Sequence, residues 1–146
     1  MKLKHKGFTL IELLVVVAVI GLLTSVIMVT FSNARMKSRD TKRLSDMVQI
    51  RTGLDLYFSH GAGYPSISSW NTGNLTCDGT QIMTVPQDPQ SFTYYTYNAE
   101  NPITGCGAEL LNKNYYVQFA TEGPTELGPP GAYYMSQMGF TSAAPF

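Results

Sequence analysis

Few side chains in this sequence are placed to do chemistry. Its two histidines, His5 and His60, lie far apart, and its two cysteines, Cys77 and Cys106, have no histidine beside them. No Gly-x-Ser-x-Gly elbow, phosphate loop or clustered metal-ligand spacing occurs, so no catalytic residue and no metal site is expected, and the chain reads as a non-enzyme. Glu12 is different. It is the one charged residue in the apolar run of residues 8–31. A carboxylate is expensive in hydrocarbon, so Glu12 asks for a partner.

The apolar run must position that carboxylate. No proline interrupts the chain before Pro65, and 24 helical residues reach roughly 36 Å, enough to cross a bilayer core. The run is longer than the apolar core of an ordinary secretory signal and contains a carboxylate, and no small-x-small cleavage site closes it. A plain membrane anchor satisfies the same facts. Counted by charge, the leader holds Lys2, Lys4 and Lys6 against Arg35, Lys37, Arg39, Lys42 and Arg43 beyond the run, which alone would keep the remainder of the chain in the cytoplasm.

The stretch Lys6-Gly7-Phe8-Thr9-Leu10-Ile11-Glu12 resembles the processing site of type IV prepilins and of type II secretion pseudopilins. The resemblance covers the N-terminal third, and Gly21 matches a glycine common in that family. It implies that a membrane peptidase cuts between Gly7 and Phe8 and methylates Phe8, leaving Glu12 as the fifth residue of the mature chain. It also places the leader inside and the folded remainder outside, overruling the charge count. Cleavage creates an amine at Phe8 with an unperturbed pKa of about 7.7–8. When subunits stack with an axial offset, that amine meets the Glu12 of a neighbour, and a pair in hydrocarbon offsets much of the burial cost. Many major pilins carry a proline midway along the apolar half; Val26, Ile27, Met28 and Val29 stand there instead.

Residues 32–60 continue the helix as an amphipathic stem. Leu44, Met47, Val48, Leu54 and Phe58 recur at helical steps, with Ile50 and Tyr57 widening the stripe. Arg39 with Asp40 and Lys42 with Asp46 offer pairing on its exposed side. Gly53 weakens the helix by about 1 kcal/mol relative to Ala. Gly61, Gly63 and Pro65 end it. The basic residues 35–43 lack interleaved aromatics and read as a solvated face beside lipid.

Residues 61–146 read as a loop-rich domain. Residues 66–80 look like an irregular connection; 81–85, 92–97, 115–120 and 132–135 look like strands, and 98–114 like a turn region holding Cys106. The predicted class is α+β, a long helical spine packed on a small antiparallel sheet. Aromatic residues fill the core and strand pairs, Tyr133 and Tyr134 being the expected exposed exceptions, and residues 140–146 form an irregular end. The pattern Gly63-Tyr64-Pro65, then Pro86-Gln87-Asp88-Pro89, then Tyr95-Thr96-Tyr97 resembles pseudopilin-G-type domains. Many of those bind calcium, but beyond Asn114 only Glu122 and Glu126 are carboxylates, too few for six to eight oxygens, so no cofactor is expected. Cys77 and Cys106 pair if the domain meets an oxidising compartment, for about 3–4 kcal/mol, or remain free thiols in a reducing one.

From Tyr57 onward one lysine, Lys113, opposes six carboxylates, so the domain repels nucleic-acid phosphates. The expected organisation is a leader (1–7), a membrane and assembly helix (8–31), the stem (32–60) and the domain (61–146). Three roles remain: a polymerised filament subunit of a pilus or pseudopilus, a minor tip subunit binding a ligand, or a tethered binding domain that never polymerises. Glu12 favours the first. The implied partners are identical or homologous subunits, the prepilin peptidase, an inner-membrane assembly platform and, before assembly, membrane lipid.

Overall fold

The computed structural model describes residues 7–61, 63–100 and 114–145. The leader lysines, Cys106 and most of the expected 98–114 turn region lie outside these. Contacts divide the chain into two compact units, Met1–Met36 and Lys37–Phe146. Helix α1, Leu10–Gly61, begins in the first unit and contributes its later turns to the second.

In the first unit the described apolar side chains of α1 as far as Phe31 are exposed. Leu10 and Leu22 are 81% and 70% exposed. Aliphatic residues sustain the helix, and its polar residues turn inward onto their own backbone. Thr24 Oγ1 donates to Ile20 O (2.7 Å) and Ser25 Oγ to Leu22 O (2.8 Å), so neither hydroxyl presents an unmade bond to hydrocarbon.

In the second unit α1 buries Met47, Ile50, Leu54 and Tyr57 against the sheets. Leu44 and Phe58 pack at the edge of this core, while Val48, expected in the stripe, points outward at 61% exposure. The stripe is narrower than the sequence suggests because it follows 47, 50, 54 and 57. Gly53 has a packing reason: a Cβ there would lie 2.0 Å from Met83 Sδ. The helix closes with the His60 ring nitrogen Nδ1 2.9 Å from Leu56 O.

Residues 66–80, expected to be irregular, hold two elements. In α2 (Ile67–Asn71) the N-cap Ser66 accepts from Ser69 N, and Trp70 is buried, donating from Nε1 to Tyr95 O (2.9 Å) and stacking on Tyr97 at 4.5 Å. Strand β1 (Asn74–Cys77) follows, turning Leu75 and Cys77 inward, and pairs antiparallel with β2 (Thr80–Thr84). The turn between them is Asp78-Gly79, both with positive φ (48° and 77°), as the right-handed twist of a tight hairpin requires.

The larger sheet runs β3 (Thr96–Ala99), β4 (Tyr115–Thr121), β5 (Gly131–Ser136) and β6 (Gly139–Thr141), all antiparallel neighbours in chain order. Tyr115, Val117 and Phe119 of β4 face the core and alternate with half-buried residues. The predicted α+β class holds. The expected strand over 92–97 is mostly loop, since Phe92 has φ 55° and only a single bridge, Gln87 to Tyr94, precedes β3. Tyr133, expected to be exposed, is buried and donates to Pro129 O (2.7 Å), and β6 occupies part of the expected irregular end.

Candidate assembly site

The start of α1 holds the carboxylate that organises the sequence. Thr9 is the last residue before the helix, and Glu12 lies in its first turn. Glu12 Oε2 accepts from Thr9 N (2.8 Å) and Thr9 Oγ1 (2.8 Å), while Thr9 Oγ1 accepts from Glu12 N (3.3 Å). This is a capping box, in which two orphan N–H groups of a helix start are satisfied reciprocally. The amine expected from cleavage is one partner for Glu12; within the chain its partner is Thr9. The spacing Thr9-x-x-Glu12 was the available signal. Phe8 is 85% exposed beside it, and a Cβ on Gly7 or Gly21 would meet nothing within 4 Å, so neither glycine is required by the chain's own packing.

A second polar constellation fixes the folded unit to its helix. Arg43 is 4% exposed and reaches three carboxylates: Nη1 donates to Asp40 Oδ1 (2.8 Å) and Glu122 Oε1 (2.7 Å), and Nε to Asp88 Oδ2 (2.6 Å). Arg39 grips Glu122 with Nε (2.7 Å) and Nη2. Asp40 accepts in turn from the backbone N–H groups of Glu122 (3.0 Å) and Gly123 (2.8 Å). Two loops, around Asp88 and after β4, are thereby bolted to one turn of α1.

Arg39, expected to pair with Asp40 on an exposed face, pairs with Glu122, and Asp40 is buried. Lys42 does pair with Asp46, but Asp46 is fully buried and also accepts from Tyr95 OH (2.8 Å). Burial, then Asp46, pushes the Tyr95 phenol well above its ordinary pKa. Glu122, weighed for calcium, is occupied by two guanidiniums.

The electrostatics of this node predict acid sensitivity. Burial pushes the Asp88 carboxyl up, but Arg43 and the N–H groups of Ser91 and Gln90 outweigh it and bring it down to about 2. Arg39 draws Glu122 down, burial opposes and Arg43 assists, again to about 2. A carboxyl depressed in the folded state stabilises fully above its unfolded pKa near 4, and that contribution is lost as pH falls through the folded value. Asp88 alone accounts for about 2 kcal/mol. Thermal denaturation of the full chain in detergent is expected to show a steady loss of stability between about pH 4 and pH 2; a midpoint unchanged across that window contradicts the assignment.

Cys77 ends β1 with 4% exposure; its proposed partner Cys106 lies outside the described residues.

Comparison with known proteins finds a family motif at the same N-terminal stretch and relatives over half to three-quarters of the chain. Residues 2–28 match the prokaryotic N-terminal methylation motif. The chain is 28% identical over 109 residues to the type II secretion system core protein G of Dickeya chrysanthemi, covering 75% of this chain and 68% of that protein. The corresponding protein of Pectobacterium carotovorum subsp. carotovorum is 29% identical over 107 residues, 65% of this chain and 68% of the relative. The type IV major fimbrial protein FimA of Dichelobacter nodosus is 37% identical over 76 residues, about half of each chain. No solved structure matches at comparable stringency.

Proposed function

We propose that this chain, which belongs with the type IV pilins and type II secretion pseudopilins, is a structural subunit of a type IV pilus or pilus-like filament. It is cut after Gly7, methylated at Phe8 and polymerised through residues 8–31, and its work is mechanical rather than catalytic. One observation carries the reading: an apolar helical run with no buried side chain among its described residues precedes a unit with a hydrophobic core of its own. Such a run needs lipid first and other helices afterwards. Gly21 fits the second environment, since a glycine with open space around it lets a neighbouring helix approach closely.

Before assembly the subunit is a single-pass inner-membrane protein with its folded unit outside the cytoplasm; afterwards it belongs to an extracellular or periplasmic filament. Its partners are copies of itself or homologous subunits, the prepilin peptidase and an assembly platform. The similarity to core protein G keeps a major pseudopilin of a secretion or DNA-uptake pseudopilus as the second reading. A minor, ligand-binding tip subunit is the third.

Sheared filaments from cells expressing the chain test the proposal. The expected result is that this subunit is the most abundant protein and that its N-terminal peptide begins with N-methylated Phe8. A chain found only in the membrane fraction with residues 1–7 intact overturns it. The exported unit is also expected to join Cys77 to Cys106. Alkylation of unreduced, denatured chain then labels neither cysteine, and Cys77→Ser lowers stability by about 3–4 kcal/mol; two labelled thiols contradict the pairing.

A further inference from the structure

Five basic residues follow the apolar run, and the fold divides them into two groups. Arg39, Lys42 and Arg43 are drawn into the folded unit: Arg39 pairs with Glu122, Lys42 with Asp46, and Arg43 with Asp40, Asp88 and Glu122. Arg35 and Lys37 are left out. Both are exposed, and among the described residues neither makes an ion pair. The sequence offers them no neighbour of opposite sign, since no Asp or Glu stands between Glu12 and Asp40. Asp40 itself, three residues beyond Lys37, is buried and committed to Arg43 and to the N–H groups of Glu122 and Gly123. A cation in open water needs no partner, so what these two do depends on where α1 places them.

Arg35 lies four residues past Phe31, the end of the apolar run, which is about 6 Å of helix rise. The polar layer on each side of a bilayer core is roughly 5–8 Å thick. With residues 8–31 in hydrocarbon, the Arg35 guanidinium stands among headgroups, and Lys37 follows two residues on. Two positions apart on a helix, they point to different sides of α1, so each meets its own headgroup. A zwitterionic lipid brings an ammonium that competes for its own phosphate, whereas an anionic lipid does not. Each Lys or Arg beside an anionic surface favours contact by about fivefold. We propose that Arg35 and Lys37 bind the headgroup phosphates of anionic phospholipids while the subunit waits in the membrane. The inference rests on residues 8–31 spanning the bilayer and names the lipid chemistry that this span meets. Arg39, Lys42 and Arg43 take no part, because the folded unit already holds them.

The test is native mass spectrometry of the full-length chain in detergent, with equimolar phosphatidylglycerol and phosphatidylcholine of matched acyl chains. Lys2→Gln, Lys4→Gln and Lys6→Gln are present throughout, so that the ratio of retained lipids reports the far end of the span alone. Phosphatidylglycerol is expected to be retained roughly tenfold or more over phosphatidylcholine. Adding Arg35→Gln and Lys37→Gln is expected to bring the ratio to about one with the thermal midpoint unchanged, and Arg35→Lys alone to preserve it. A ratio near one before those changes, or one that survives them, overturns the headgroup contact and leaves the membrane span standing. Loss of the preference on adding inorganic phosphate at constant ionic strength also overturns it, since a free anion then suffices. A chain that partitions into the aqueous phase of Triton X-114 overturns the span and the contact together.

Discussion

Glu12→Ala is expected to leave membrane insertion and cleavage after Gly7 intact while lowering filament yield by roughly a hundredfold or more, the scale set by leaving one partner of a buried ion pair uncompensated. The structure gives Glu12 two separable properties, and two further variants divide them. As the acceptor of a capping box it satisfies the Thr9 N–H at the start of α1. Glu12→Gln keeps an oxygen for Thr9 N–H and Oγ1 but loses the charge. If the charge docks the Phe8 amine of a neighbour, Glu12→Gln fails to assemble as badly as Glu12→Ala, and Thr9→Ala, which removes only half the box, assembles nearly normally. If the box alone matters, Glu12→Gln assembles like the wild type and Thr9→Ala is impaired. Immunoblots of sheared and membrane fractions read all three variants. On the proposed reading, the two donors from Thr9 would replace part of the hydration that the Glu12 carboxylate loses in lipid before assembly.

What the sequence made legible was what repeats locally. The unbroken apolar run and the heptad-like spacing of Met47, Ile50, Leu54 and Tyr57 are visible without a structure, as is the aromatic alternation of β4. Two further local signals stand in the sequence: Asp78-Gly79, which marks the β1–β2 hairpin, and Thr9-x-x-Glu12, which marks the cap. The short α2 and β1 hide among Ser, Thr and Asn because each buries only one or two side chains, Trp70 in the helix and Leu75 with Cys77 in the strand. The ionic node was not legible at all. Arg43 finds Asp88 and Glu122 at separations of 45 and 79 positions, and no short-range rule prefers these over Asp46 or Asp55 on the same helix. The conformation of Phe92 belongs to the same category, because it follows from a loop tied to a distant arginine.

Arg43→Met is expected to be among the most damaging single changes in the folded unit, at about 3–5 kcal/mol, because among the described residues it leaves Asp40, Asp88 and Glu122 converging beside a single guanidinium, that of Arg39. The side chain it replaces makes simultaneous bonds from Nε, Nη1 and Nη2 to three carboxylates and to Gln90 Oε1. The single ammonium of Arg43→Lys cannot span that arrangement, so the conservative change restores charge but recovers only part of the loss. Exposed Arg35 serves as the control, and Arg35→Met should fall within about 0.5 kcal/mol of the wild type. The sign with pH separates an electrostatic role from lost packing. Carboxylates depressed to about 2 by the guanidiniums stabilise the wild type above about pH 4 and cease to do so as pH falls toward 2. Near pH 7 the gap between wild type and Arg43→Met is therefore fully open, and it narrows on acidification as the carboxylates are neutralised in both proteins. Denaturant midpoints at pH 7 and pH 3 measure it. A gap of equal size at the two pH values would mean that Arg43 acts through the volume it fills, and the account of the node as an electrostatic clamp on the Asp88 and Glu122 loops would have to be abandoned.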